Sequence, residues 1–432
     1  MIGYNASEYQ SVQEAVDAAR GNTQDGTSVE LIFPAGIYET GPVVLHGDMV
    51  ITLEEGAVIR FSDDPTRYPP VWTRWEGVEC YAMHPLLYAS EASNITLRGK
   101  GIIEGSGKRW WDAFRNIEAE DRTSPREPWE RELAELNPDY RSRPGGGARP
   151  QTQFLRPPLV QFWKCSNIVL ENITLQNSPF WTLHIVYSQD ISIRGMTILN
   201  PADAINTDAI DLDSSRDITI EDCLFDVGDD AITLKSGSGT DGLRINIPTR
   251  NVTARRCRIL ASHGGIAIGS ETAGGIENVL IEDCEFIGTQ RAIRLKSRRG
   301  RGGTIRNISL SGLTMEGCWC PIVIGQYFAP GVLPEERETV LSLLPQPVTP
   351  GTPHIRDIAI SNVTATNIRS TAAFIVGLPE APIENVTVSQ FSYSLAAEEQ
   401  RLETWNSEPT EGLFHDAGRG IKIINARNVE IG

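Results

Sequence analysis

Cysteine is scarce in this chain and unpaired in pattern. The seven thiols are an odd number, no Cys-x-x-Cys occurs, and the nearest two, Cys318 and Cys320, have only Trp319 between them. That excludes a disulfide framework and argues against a thiolate metal site. Long apolar runs are missing as well. No stretch is long enough to cross a bilayer as a helix, so no membrane partner is expected. Positive charge is in deficit, with 39 Lys and Arg against 56 Asp and Glu and a formal net charge of −17. Binding phosphate backbones needs a basic footprint, so nucleic acid is not an expected partner. The opening residues Met1-Ile2-Gly3-Tyr4-Asn5 contain neither the basic nor the apolar region of an export signal. With reduced thiols, this predicts a cytoplasmic protein, or a secreted one if a signal was removed.

What the chain does have is repetition. One phrase recurs: Asn or Asp, then an alternating apolar strand, then a second short strand. Copies start at Asn94, Asn167, Asp190, Asp217, Asn251, Asn278, Asn307, Asp357 and Asn385. From Asn167 to Asn307 the steps are 23, 27, 34, 27 and 29 residues, in the range of stacked repeats. The units are short, β-branched and alternating, with no helical period between them, which selects a β-solenoid. The Leu-x-x-Leu-x-Leu frame of leucine-rich repeats is absent. The fold class predicted is all-β: a single-stranded right-handed parallel β-helix, one domain over residues 1–432.

The same register explains the thiols. Six residues after successive starts stand Ile173, Met196, Cys223, Cys257, Cys284 and Leu313. They read as one inward column, with Cys acting as a small apolar residue. The Asn-x-Ser/Thr sequons, such as those at Asn94 and Asn251, follow from a turn Asn preceding such a strand. A solenoid end needs a cover. The segment Tyr9–Arg20 carries Val12, Ala15, Val16 and Ala19 at amphipathic-helix spacing and is expected to cap the N-terminus. Two stretches, about 110–158 and 329–353, break the repeat and read as long loops on the solenoid wall.

Four neighbouring repeats carry unusual polar residues. They are Asn206-Thr207-Asp208, Gly228-Asp229-Asp230, Ser262-His263-Gly264 and Arg291-Ala292-Ile293-Arg294-Leu295-Lys296. Counted from the repeat starts, Asp229 aligns with His263 and Asp230 with Arg291. The "DAI" phrases align Asp208 with Asp230. Coils stack about 4.8 Å apart, so these residues should meet in one patch. Crowded carboxylates raise at least one pKa, which suits an acid and base pair for glycoside hydrolysis. An Asp ladder capping turns is the plainer alternative. Six cations fall between Arg291 and Arg301 without an acid. Arg suits bidentate carboxylate recognition, so a carboxylate-bearing substrate follows. Arg298, Arg299 and Arg301 read equally well as a solvated basic loop.

Taken in order, these four motifs resemble those of glycoside hydrolase family 28, the polygalacturonase family, whose pattern is Asn-Thr-Asp, Asp-Asp, Gly-His-Gly and Arg-Ile-Lys. Ser262 stands for the first Gly and Leu295 for Ile. The resemblance implies an inverting hydrolase of α-1,4-galacturonide bonds acting on galacturonate oligo- or polysaccharide, with no metal or cofactor. It implies that Asp229 is the general acid, that Asp208 and Asp230 activate water, and that His263 tunes Asp229. Arg294 and Lys296 would grip a galacturonate carboxylate, with Asn206 and Arg291 in the same binding set. Phrases such as Ser262–Glu271 and Tyr68–Gly77 resemble the exo-acting bacterial branch. The aromatics Trp110, Trp111, Trp129 and Tyr140 and the cations Arg141, Arg143 and Arg149 are expected to wall off one end of the cleft. Three alternatives remain: another uronate- or rhamnose-containing pectic backbone, a Ca²⁺-dependent pectate lyase, and a non-catalytic sugar-binding solenoid.

Overall fold

The computed structural model describes residues 2–20, 29–120, 122, 124–138, 156–403, 408 and 420–432. Coils through the middle of the chain contribute three short strands, as in Arg216–Glu221, Leu224–Asp226 and Ile232–Lys235, and in later coils the first two merge, as in Thr304–Glu316. These strands lie parallel on their counterparts in the coils before and after, without a shift of register; in the later coils the register shifts once, between Ala365 and Ile368. Among the described residues this builds one sheet of 21 strands and a second of 11. The result is the predicted parallel β-helix.

Local chemistry explains why the repeat begins where it does. Every repeat start read from the sequence, Asn94 through Asn385, has a positive φ between 53° and 60°. Asn and Asp adopt this left-handed conformation most readily among residues bearing a side chain. Their side chains then bond from coil to coil, as Asn167 donates to Asn94 at 2.7 Å and Asn278 to Asn251 at 3.1 Å. The inward column forms as expected: Ile173, Met196, Cys223, Cys257, Cys284 and Leu313 are all at most 2% exposed. Each buried aliphatic side chain of this kind contributes roughly 1.5–3 kcal/mol. One continuous core runs from Ala6 to Val388.

The N-terminal helix, α1, spans Val12–Arg20 and buries Val12, Ala15, Val16 and Ala19. It starts at the first apolar position of the segment Tyr9–Arg20, three residues into that segment. Glu14 N donates to Ser11 Oγ, while the Glu14 side chain accepts from Gln10 N. This reciprocal cap sets the first turn.

The stretch about 110–158 was expected to be loop, and this is corrected. It contains α2 (Lys108–Ala119) and α3 (Pro128–Leu136). Helix α2 buries Trp110, Trp111, Phe114 and Ile117, a helical spacing that the Arg, Pro and Gly content of the stretch obscured. Trp110 and Trp111 are thus structural and do not face the cleft. Tyr140, Arg141, Arg143, Arg149 and the Gly145–Gly147 run lie outside the described residues. The second insertion contains a short helix, Arg337–Val340, among turns.

The two sheets differ on their outer faces. Strands of the larger sheet alternate buried and half-exposed, as in Arg216–Glu221. Strands Val160–Trp163, Leu183–Val186, Ile210–Asp213 and Ile232–Lys235 are buried at every position. Something covers their outer face, and a hairpin does so. Pro70–Trp75 pairs antiparallel with Val78–Met83 and lies across these coils. Thr73 bonds Gln161, Arg74 pairs with Asp213 at 2.8 Å, and Trp75 stacks on Phe180 at 4.9 Å.

Candidate active site

The pairing Ile210–Ile232–Ile266–Ile293 sets the register of four catalytic-side coils. Counting back along each strand places Asp208, Asp230, Gly264 and Arg291 in one column, as the aligned phrases required. His263 N bonds Asp229 O at 3.0 Å, and its Nδ1 lies 3.3 Å from Asp229 Oδ1. A cavity of about 300 Å³ opens here, lined by Asn206, Asp208, Asp229, Asp230, His263, Arg291, Arg294 and Lys296. All eight sequence-derived site residues therefore converge.

Their electrostatics differ residue by residue. Asp208 is 3% exposed, and its Oδ1 has no hydrogen-bond partner among the described residues. Burial first, then the nearby Asp229 and Asp211, push its carboxyl well above the usual range. Asp229 goes the other way. Burial works to raise it, but the His263 hydrogen bond and charge, with Lys296 and Arg294 behind, hold it low. Burial works to lower His263, and the bond to Asp229 outweighs it, so the imidazole is raised. Asp230 Oδ2 accepts from Lys296 Nζ at 2.5 Å, with Arg294 Nη1 3.7 Å from Oδ1.

Asn206 is held from outside the motif. Arg156, fully buried at the end of the first insertion, donates to Asn206 Oδ1 and to the carbonyls of Ile205 and Pro179, each at 2.9 Å. Its guanidinium lies over the Phe114 and Phe180 rings. Arg291 donates to Gln290 at 2.7 Å and sits over Trp319. Burial and the neighbouring Arg294 bring it down to about 10. The solvated-loop reading of Arg298, Arg299 and Arg301 is corrected, since none is more than 6% exposed. Arg298 donates to the carbonyls of Pro330 and Gly331, and Arg299 to Glu380 and to backbone carbonyls of the second insertion. Together they fold that insertion onto the site, and Arg301 lines the cavity.

Other lining residues escaped the sequence reading. Lys235 Nζ lies 2.9 Å from Glu271 and 3.6 Å from Asp211, over the Trp181 ring. Its signal was present, because Ala231-Ile232-Thr233-Leu234-Lys235 aligns with Ala292-Ile293-Arg294-Leu295-Lys296. Burial works to raise Glu271, but Lys235 and Arg301 bring it down to about 2. Glu76 and Phe328 arrive from outside the repeat. Glu408 takes both ends of the Arg294 guanidinium and had no local signal.

Among the described residues, Asp208, Asp229 and Asp230 form a group whose carboxylate oxygens, one from each, lie within 4.8 Å of one another, close enough to hold a cation. Lys296 and His263 already place positive charge against two of the three.

Comparison with known proteins supports the architecture. Residues 143–408 match the family described as glycosyl hydrolases family 28. The chain is 29% identical to a probable polygalacturonase of Vitis vinifera over 409 residues, covering 93% of this chain and 74% of that one. It is 26% identical over 327 residues to an endo-polygalacturonase of Pectobacterium carotovorum subsp. carotovorum, covering 72% and 70%. A solved exopolygalacturonase from Thermotoga maritima superposes with a TM-score of 0.71 at 27% identity, covering 92% of this chain and 88% of that one. Endo- and exo-acting relatives thus both resemble it.

Proposed function

The chain belongs to glycosyl hydrolases family 28 and is a glycoside hydrolase; on that premise, we propose that it cleaves α-1,4-galacturonide bonds of pectin-derived chains, acting from a chain end with inversion. The observation that carries the hydrolytic part is the convergence of three carboxylates, an imidazole and three cations in one cavity. The relatives' names, polygalacturonase among them, favour galacturonide as the substrate.

In the free enzyme burial favours the protonated form of Asp208, whereas His263, Lys296 and Arg294 favour the anion of Asp229. Hydrolysis by the implied roles needs the reverse. The substrate can supply the exchange. A galacturonate carboxylate drawn to Arg294 and Lys296 shares the charges that hold Asp229 low and adds a negative neighbour, which raises the proton affinity of Asp229. The proton then passes from Asp208 to Asp229. Asp229 gives it to the leaving oxygen as the glycosidic bond breaks. Asp208, with Asp230 beside it, takes the proton of the attacking water as its oxygen bonds the anomeric carbon. The carboxylate oxygens are closer than the roughly 6.5–9.5 Å general for inverting pairs. In this reading water is held beside Asp208 and Asp230 rather than on a distant opposite wall. Proton NMR of the first product reports the outcome: the β anomer supports inversion, and the α anomer refutes it.

The chain-end reading rests on what encloses the cavity. The hairpin lies across coils that include Ile210–Asp213 and reaches Ser238, just past Ile232–Lys235, and Phe328, Pro330 and Gly331 close in from the second insertion. A long polymer has little room to lie through such a pocket. Time-resolved products from polygalacturonate test this. One short product from the first minutes supports it; an early ladder of intermediate oligomers with a fast fall in viscosity defeats it.

A further inference from the structure

The cavity is not electrically uniform. On the side of the later coils, Arg291, Arg294 and Lys296 form a cationic wall. On the side of the hairpin cations and carboxylates are mixed: Lys235 lies 2.9 Å from Glu271, Arg301 also acts on Glu271, and Glu76 adds a second carboxylate. A sugar carboxylate is favoured at the first wall and gains little at the second. Sugar hydroxyls, which donate hydrogen bonds, find carboxylate acceptors at the second.

The position of Glu76 is built, not incidental. It sits at the tip of the hairpin with φ 43°, followed by Gly77 at φ 79°. Two successive left-handed residues form the tight turn whose twist suits paired strands. A side chain at Gly77 would meet Glu271 Cγ at 2.7 Å and Ser238 Cβ at 2.8 Å, so the glycine lets the tip press onto the end of the site. Ser238 N bonds Gly77 O at 2.8 Å. Behind the tip, Arg74 is anchored to Asp213 and Ser214, and Trp75 continues a ring stack through Phe180 to Trp181. These anchors deliver a 6%-exposed carboxylate into the cavity.

We infer that Glu76, together with Glu271, reads the terminal sugar of the chain through its hydroxyls, so that this end of the cavity recognises a chain terminus by hydrogen bonding and not by charge. The inference rests on the chain-end reading above and assigns its specificity to named side chains. A free terminal hydroxyl occurs at either end of an oligogalacturonate, so two modified substrates separate the sources. An unsaturated trigalacturonate lacks the 4-hydroxyl at its non-reducing end, and a borohydride-reduced one has an opened ring at the other.

The test is kcat/KM on saturated, unsaturated and reduced trigalacturonate for the wild-type enzyme, E76N and E76A. Asn tolerates the left-handed turn, so E76N withdraws the carboxylate while keeping the hairpin, and matched melting temperatures check the fold. The wild-type enzyme should disfavour one of the two modified substrates by roughly 10- to 100-fold, the range of a charged hydrogen bond. In both variants that preference should shrink to within about 3-fold. A wild-type enzyme indifferent to both modifications, or variants that keep the full preference, would overturn the inference while leaving chain-end action intact. A ladder of products from the wild-type enzyme on polygalacturonate would remove the chain-end reading itself.

Discussion

Arg294 closes its guanidinium fork on the carboxylate of Glu408, with Nη2 to Oε1 at 2.7 Å and Nε to Oε2 at 3.1 Å. Its remaining Nη1 lies 3.7 Å from Asp230 Oδ1. The cation assigned to the substrate carboxylate is therefore already paired with a carboxylate of the chain, and a galacturonate must compete for it.

That competition has a measurable consequence. E408Q removes the rival anion and should lower KM for galacturonate oligomers severalfold with little change in kcat. R294A removes a charged hydrogen bond of about 1.5–3 kcal/mol and should raise KM. Steady-state kinetics on tri- and tetragalacturonate check both. A raised KM in E408Q would assign Glu408 to the fixed frame of the site.

Lys296 should behave differently from Arg294. Its Nζ is 2.5 Å from Asp230 Oδ2, so K296A strips the counter-charge from a carboxylate given a role in the chemistry. The expected loss lies mainly in kcat, whereas that of R294A lies mainly in KM. Equal effects of the two variants on both constants would remove this division of labour.

D229N should lower kcat at least about 10²–10⁴-fold, the usual contribution of a positioned general acid. Circular dichroism and melting temperature should stay unchanged. Turnover near that of the wild-type enzyme would end the assignment of Asp229.

The His263–Asp229 pair predicts a pH dependence. His263 is raised from its ordinary value of about 6.5, so its imidazolium persists above that pH. The pair is intact at lower pH and is lost as pH rises through the raised value. The profile of kcat/KM should therefore fall on its alkaline side above pH 6.5. In H263N this limb should disappear. A variant that keeps it would assign the limb to another group.

K235M leaves the buried carboxylate of Asp211 without its cation and Glu271 with Arg301 alone, and breaking a buried pair typically costs about 3–5 kcal/mol. Urea unfolding should show a lower midpoint with an unchanged slope. Stability equal to that of the wild-type enzyme would mean that these carboxylates take up protons at no cost.

Much of this was legible in the chain itself. The repeat starts, the inward column from Ile173 to Leu313 and the alignment of Asp208, Asp229, Asp230, His263, Arg291, Arg294 and Lys296 all follow from local rules. Asn and Asp mark left-handed turns, alternation marks strands, and one-coil stacking converts sequence offset into spatial contact. Such rules hold wherever contacts join equivalent positions of successive coils. Tertiary structure alone decided the rest, because the remaining contacts break that equivalence. Glu76 joins Glu271 in the cavity from a hairpin nearly 200 residues earlier in the sequence. Arg156 reaches back from an insertion to hold Asn206, and Glu408 crosses 114 residues to Arg294. No period in the sequence encodes such distances. They are set by which side chains the packed insertions leave facing the cavity, and by the need of each buried charge there for a partner.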